Sequence, residues 1–426
     1  MKTKCHILTV LLLSCASTFA QQKFISVKGK EIIDPAGKPF LIKGTNLGNW
    51  LVPEGYMFKF KNTNSPKLIT ETFAQLIGPQ AAAKFWEQFL QQYITREDIH
   101  FLKTIGVNSI RIPFNYRLFT NEDYLGSNDA TRGFKLLDSA ISWCKSEGLY
   151  VILDMHCAPG GQTGDNIDDS WGYPFLFESN ANRQLTIKIW QSIASRYKNN
   201  TTVMGYDLLN EPIAHYFDAT KLNPFLEPFY KELVTAVRKV DKNHIVFLGG
   251  AQWNTNFKVF GKPFDDKAVY TFHKYGDQPN YGSIKRFVEF RDQYNVPVYA
   301  GETGENTDEW VASFRKLLEE NNIGWHFWPY KKMDSPKNIM SIDLPANYDS
   351  LVRYAETPRT SFKDIRNAAP VNRQQMQQIL NGILENCKYQ RCKPNEGYIS
   401  ALGFSLHKEN DDTAINETKK EKQGTK

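Results

Sequence analysis

Between residues 41 and 330, eight short runs rich in β-branched and aromatic residues alternate with stretches of helical periodicity, and this alternation constrains the fold more than any other feature. The runs are residues 41–47, 108–114, 150–156, 203–210, 244–250, 269–275, 297–302 and 323–330. Helical patterns fill the gaps. In residues 134–147, Leu136, Leu137, Ala140, Ile141 and Cys144 recur at helical spacing, and residues 184–197 form another such stretch. Repeated strand, loop and helix imply a parallel sheet with helices outside. Eight units of this kind predict an α/β fold, a (β/α)8 TIM barrel. A doubly wound open sheet fits the alternation as well, but no glycine-rich phosphate fingerprint follows the first strand, which disfavours it.

The flanks carry less structure. Residues 24–39 read as a short N-terminal hairpin with its turn at 34–37, placed to plug the barrel floor. After Pro358 the units stop, residues 371–386 form one amphipathic helix, and residues 409–426 are polar with no apolar periodicity. The expected organisation is a leader at 1–20, a catalytic barrel at 21–365, a C-terminal helical extension at 366–408 and a disordered tail at 409–426, with no second folded domain. In the leader, Lys2 and Lys4 precede an apolar run from Ile7 to Leu13, and Thr18-Phe19-Ala20 offers a small-residue cleavage site. A secreted or periplasmic protein is expected. The rival reading takes Leu12-Leu13-Ser14-Cys15 as a lipoprotein box with Cys15 lipidated.

Composition narrows the partners. The formal charge is +6, of which Lys2 and Lys4 supply two, so +4 remains after the leader, too little and too evenly spread for nucleic acid. No later segment has 18 uninterrupted apolar residues, so none is expected to span a membrane. Nine Trp and 20 Tyr suit a site that stacks flat apolar faces, although a large core absorbs aromatics too. Cys387 and Cys392 lie close in sequence, as a bridge or as two free thiols, and lack a second ligand pair for zinc. A monomer is expected.

In a barrel of this type the reacting groups stand at the C-terminal ends of the strands. Those ends carry Asn46, Arg111, His156, Asn210 with Glu211, His273 with Tyr275, Glu302 and Trp328. Each alone has a structural explanation, but their convergence on one rim points to a site. Glu211 and Glu302 end the fourth and seventh strands, on opposite sides of the mouth. Glycoside cleavage needs such a pair: one carboxylic acid protonates the departing oxygen, and the other carboxylate stabilises or attacks the oxocarbenium-like carbon. Mutual repulsion keeps one of the two protonated near neutral pH.

Taken together, Arg111 in SIRIPF, His156 in LDMHCAPGGQ, Asn210-Glu211-Pro212, His273 and Tyr275 in TFHKY, Glu302 and Trp328 resemble glycoside hydrolase family 5, over about residues 40 to 330. The resemblance implies Glu211 as acid/base and Glu302 as nucleophile, with retention of configuration. It implies that Asn210 holds the sugar 2-hydroxyl and that Arg111 keeps Glu302 ionised. His156, His273 and Tyr275 would position hydroxyls and the catalytic pair, and Trp328 would be the platform under the sugar. Physical reasons stand beside these roles: Arg111 is a permanently charged fork matched to a carboxylate, an amide both donates and accepts, and indole presents an apolar face to a pyranose. The opening NLGNWLVPEGYMF is similar to that of exo-β-1,3-glucanases, and Glu54 falls where those enzymes hold the terminal glucose. Gly55 and the 160–177 loop, with Asp168, Asp169, Trp171 and Tyr173, depart from that pattern and leave linkage and exo or endo action open. Asp168 and Asp169 read either as a solvated acidic loop or as sugar contacts.

The substrate partner implied is a β-linked oligo- or polysaccharide, and no cofactor or metal is called for. The alternatives are an endo-acting cellulase or mannanase, a non-catalytic carbohydrate-binding protein on the same barrel, and a metal-dependent hydrolase using Asp154, His156, His273 and Glu302. The last lacks the paired His expected after an early strand.

Overall fold

The structure, a computed structural model, describes residues 24–406. The leader, Cys15 and the tail lie outside the described residues. Strands β1 (Ser26–Lys28) and β2 (Glu31–Ile33) form the antiparallel hairpin, but its turn is at Gly29-Lys30, not at 34–37. Gly29 takes the left-handed backbone (φ 59°) that this tight reversal requires. The 34–37 turn is a second reversal, in which Asp34 Oδ1 accepts from Ala36 N and Lys38 N and returns the chain so that Pro39 bridges Ile33. The hairpin does close the floor: Ile25 and Ile32 pack on the inward-facing Ile42, Ile152, Met204, Val269 and Tyr299.

The eight runs of the sequence are the eight strands of a closed parallel barrel. Strand β3 (Lys43–Asn46) is followed by helices α1 (Pro66–Ile77), α2 (Pro79–Gln92) and α3 (Arg96–Ile105). Ser65 caps α1 by accepting from Leu68 N, and Pro66 and Pro79 open α1 and α2 where a missing N–H costs nothing. Then come β4 (Ser109–Asn115), α4 (Arg132–Glu147), β5 (Tyr150–Cys157), α5 (Asn180–Tyr197), β6 (Val203–Asp207), α6 (Ala219–Arg238), β7 (Ile245–Gly249), β8 (Ala268–Lys274), β9 (Val298–Gly304) and β10 (Gly324–Trp328). Helices Tyr281–Tyr294 and Asp308–Glu320 cover the last strands. Pairing of Trp325 with Lys43 and Phe327 with Thr45 closes the ring.

Regular pairing in β6 stops at Asp207, three residues short of the expected end. The chain continues to Asn210 on single bonds, Leu208 N to Phe247 O and Asn210 N to Met155 O. After β10, the short strands β11 (Lys331–Met333), β12 (Met340–Ile342) and β13 (Lys393–Pro394) make a small sheet that ties the C-terminal segment back to the barrel. The amphipathic helix spans Arg373–Asn386 and buries Met376, Ile379, Leu380 and Ile383. Cys387 and Cys392 are free thiols, each donating to backbone carbonyls.

Candidate active site

Strand register assembles the site before any side chain is considered. Asn46 pairs with Arg111, Asp154 with Asp207, and His273 with Glu302, the last across a β-bulge that follows Phe272. A bulge rotates the side chains beyond it, which aims His273 and Glu302 into the mouth. At the centre lies Arg111, fully buried. Its guanidinium meets Asp207 (Nε, 2.9 Å), Glu302 (Nη1, 2.6 Å), Asn46 (Nη1, 3.1 Å), Asn210 (Nη2, 2.9 Å) and Asp154 (Nη2, 2.9 Å). One cation therefore serves three carboxylates. Burial pushes Asp154 and Asp207 up to about 7, against the pull of Arg111.

Glu211 and Glu302 meet through His273. Its Nδ1 lies 2.7 Å from Glu211 Oε1 and 3.5 Å from Glu302 Oε2, and a carboxylate oxygen of each Glu lies within 4.8 Å of the other. Tyr275, on the rim, donates to Glu302 Oε2 at 3.1 Å. The two carboxyls have different environments. Glu302 faces the Arg111 fork, whereas Glu211 pairs with no guanidinium among the described residues and is pushed up to about 7, chiefly by burial, with Asp165 adding to the rise and His156 and Arg111 opposing it. Burial drives His273 down to about 3, so the imidazole is neutral near pH 7 and one proton lies on the 2.7 Å line to Glu211.

Glu211 itself sits in left-handed backbone (φ 45°), as does Ile213 (φ 57°), conformations that cost a non-glycine residue energy and need external restraint. The restraint comes from the segment after β5. Ile213 N and Ala214 N donate to the carbonyls of Gln162 and Thr163, Thr163 Oγ1 donates to Glu211 O, and Gln162 Nε2 donates to Asn210 O and His156 O. Asn210 is fully buried; its Oδ1 accepts from Arg111 and its amide nitrogen lies 3.4 Å from His156 Nε2. His156 Nδ1 lies 2.8 Å from Asp154, and burial holds the imidazole down at about 4.

Trp328 closes one side of the pocket, its plane parallel to the His156 ring and its indole N–H donating to Tyr56 OH at 2.6 Å. A Cβ on Gly48 would come within 2.8 Å of the Trp328 ring, so the glycine of NLGNW is what lets that ring lie there. Glu54 is 4% exposed and lines the pocket. Its Oε1 has no hydrogen-bond partner among the described residues, and burial, with Glu302, Glu305 and Glu211 nearby, raises its carboxyl well above the usual range. The cavity measures about 660 Å3 and also takes in Asp165, Ile167, Trp253 and Glu305.

Of the residues named at the strand ends and in the opening segment, Glu54, His156, Glu211, His273, Tyr275, Glu302 and Trp328 line the cavity, while Asn46, Arg111 and Asn210 are fully buried and joined to one another by hydrogen bonds through the Arg111 guanidinium. The 160–177 loop does not leave Asp168 and Asp169 solvated. Asp168 is buried and accepts from Thr163 N, Gly164 N and Ser170 N, while Asp169 is buried against Arg117 and Lys67 N. Neither is a solvated charge or a group of the catalytic pocket: both carboxylates accept from donors that hold a loop with four glycines in shape. Trp171 and Tyr173 do not line the catalytic pocket; Tyr173 packs on Phe217 and donates to Glu178. Sequence reasoning missed Tyr56, Asp165, Trp253, Glu305 and Asp207. Trp253 follows β7, whose run ends in Gly249-Gly250 with no polar residue to mark a site, and stands on three consecutive left-handed residues, Gln252 to Asn254.

Glu211, His273 and Glu302 are near enough to share a divalent cation. The donor set of the metal-dependent reading is not assembled, however: Asp154 is turned to Arg111 and His156 Nδ1, and Arg111 already occupies a Glu302 oxygen.

Comparison with known proteins agrees with this geometry. Residues 68–334 match the family described as Cellulase (glycosyl hydrolase family 5). The chain is 32% identical over 394 residues to a beta-xylosidase from Phanerodontia chrysosporium, covering 79% of this chain and 81% of that one. It is 27% identical over 344 residues to glucan 1,3-beta-glucosidase 2 from Wickerhamomyces anomalus, covering 75% and 73%. With endoglucanase C from Acetivibrio thermocellus it shares 26% over 312 residues, covering 59% and 88%. Among solved structures, an endogalactoceramidase superposes with a TM-score of 0.58 at 16% identity, covering 89% of this chain and 84% of that one. The rutinosidase from Aspergillus niger gives 0.54 at 18%, covering 69% and 90%. These two share the fold. On the family match and the relative above 30% identity, the chain belongs to glycoside hydrolase family 5, and it acts on β-linked glycosides.

Proposed function

We propose that the protein is a retaining β-glycoside hydrolase that removes the terminal sugar from a β-glucan or a related β-linked chain by double displacement. The observation that carries the reading is the close approach of two carboxyls in unlike environments, Glu302 on the Arg111 fork and Glu211 raised by burial. Retaining pairs sit about 5 to 5.5 Å apart and inverting pairs about 6.5 to 9.5 Å, and an oxygen–oxygen approach within 4.8 Å supports the short class. Glu302 attacks the anomeric carbon while Glu211 gives its proton to the departing oxygen. Glu211, now a base, then takes a proton from water as water attacks the glycosyl-enzyme. Arg111 and Tyr275 hold Glu302, His273 orients Glu211, and Asn210 offers its remaining amide hydrogen to the 2-hydroxyl. Trp328 lies under the sugar.

Exo action is supported by Glu54, buried at the pocket wall with an oxygen that no described residue occupies, and by Trp171 and Tyr173 standing outside the lining of the catalytic cavity. The leader pattern supports an exported enzyme.

The test is Glu211→Ala on an activated aryl β-glycoside, assayed with glucosides and xylosides. Azide should restore turnover and give the β-azide, and Glu302→Gln should lose nearly all activity. An α-azide product, or full activity in Glu302→Gln, overturns the assignment.

A further inference from the structure

A second cavity of about 410 Å3 opens on the same end of the barrel, beyond the 160–177 loop. The 160–177 loop lines both cavities. Asp165 and Ile167 face the pocket, and Asp169 and Trp171 face the second cavity. We infer that this cavity is a separate binding site for a neutral carbohydrate chain, holding the polymeric substrate beside the pocket that cleaves it; the inference rests on the reading of the enzyme as acting on polymers.

The cavity is built by sequence. Helix α1 turns Lys67, Thr70, Glu71 and Ala74 toward it, a stripe at helical spacing opposite the buried Ile69, Phe73 and Leu76. Helix α2 contributes Ala82, Ala83 and one edge of Trp86, and the alanines leave the space open. The far wall, residues 123–127, is held by Arg132, whose guanidinium donates to the carbonyls of Tyr124 (2.7 Å) and Leu125 (2.8 Å). It is seated on α2 through Gly126, where a Cβ would come within 2.9 Å of Ala83 O. Asp169 fixes the loop side by accepting from Lys67 N and pairing with Arg117. A cavity with walls pinned in this way is preformed, which lowers the ordering cost of binding.

Its chemistry matches a sugar. Trp171 is 70% exposed, whereas Trp50, Trp86, Trp190 and Trp325 are fully buried. Lys67 Nζ stands 3.7 Å from the Trp171 ring centroid and covers one face, leaving the other for the C–H side of a pyranose. The indole N–H of the fully buried Trp86 has no acceptor among the described residues. Charges of both signs, Lys67 and Arg117 against Glu71, Asp123 and Asp169, give no single-sign field. That balance favours a neutral polyhydroxylated ligand over an anion.

The test uses Glu302→Gln as a silent background in native gels containing soluble β-1,3-glucan, hydroxyethyl cellulose or xylan. Migration should be retarded in at least one gel, and Trp171→Ala in that background should lose most of the retardation. With Glu302 intact, Trp171→Ala should leave kcat/KM on an aryl β-glycoside unchanged and raise KM on the retarding polymer about threefold to tenfold, the loss of one stacking contact. No retardation in any gel, full retardation in Trp171→Ala, or an equal loss on the aryl glycoside overturns the inference. Hydrolysis of the aryl glycoside by the unmodified enzyme tests the catalytic reading separately.

Discussion

The indole N–H of Trp328 donates to the phenol oxygen of Tyr56 at 2.6 Å, joining the end of β10 to the short helical turn Gly55–Phe58 that follows β3. The sugar platform is thereby held from across the barrel seam. Tyr56→Phe keeps the ring and removes the acceptor, at a cost of about 1 kcal/mol, or about fivefold in kcat/KM. Thermal unfolding should be little changed. A fall in Tm with full activity would mean that the contact supports the fold and not the platform.

Glu211 must carry a proton to act as the acid, and burial sets its titration at about 7, so kcat/KM should fall as pH rises through about 7. Asp165 contributes to that rise by charge repulsion. Asp165→Asn keeps the acceptor oxygen that receives Asn166 N and removes the charge, so the basic limb should move down by less than about one unit. An unmoved or upward limb would show that Glu211 does not govern it.

Much of this was legible in the sequence because strand period and strand endings obey separate rules. Apolar runs located all eight strands, and polar residues within or just after those runs located Arg111, His156, Glu211 and Glu302. Asp207 was missed although an acid inside the apolar YDLLNEP is a signal, because its partner Arg111 is 96 residues away and only the barrel brings them together. The burial of Asp168 and Asp169 is not legible in the sequence for a related reason. Sequence shows two acids among glycines, but not that backbone amides curl around one and Arg117 covers the other. Tyr56 had no local signal, since its role depends on Trp328, 272 residues later.

Arg111 neutralises three buried carboxylates, so Arg111→Leu should cost about 3 to 5 kcal/mol of stability at neutral pH. Asp154 and Asp207 already titrate near 7 in the fold, above their unfolded values, so their ionisation weakens the fold as pH rises and their protonation relieves it as pH falls. Loss of the cation raises both further. The stability gap between Arg111→Leu and the unmodified protein should therefore be wide at pH 8 and narrow at pH 5, as read by urea unfolding. A gap independent of pH would assign the loss to packing.

Glu54 gives the sharpest discrimination between a charge and a shape. Its carboxyl is raised well above the usual range, first by burial and then by Glu302, Glu305 and Glu211, which favours the neutral acid, with one O–H to give and an oxygen that no described residue occupies. A glutamine offers the same pair of functions in the same volume. Glu54→Gln should therefore retain most of the activity on a terminal glycoside, whereas Glu54→Ala removes both hydrogen bonds in a dry pocket, a loss of roughly 1 to 3 kcal/mol, and should lower kcat/KM about tenfold or more. Neither change should move the basic limb set by Glu211. If Gln and Ala are equally damaging, Glu54 acts as an anion, and the neutral-acid account of the pocket wall fails.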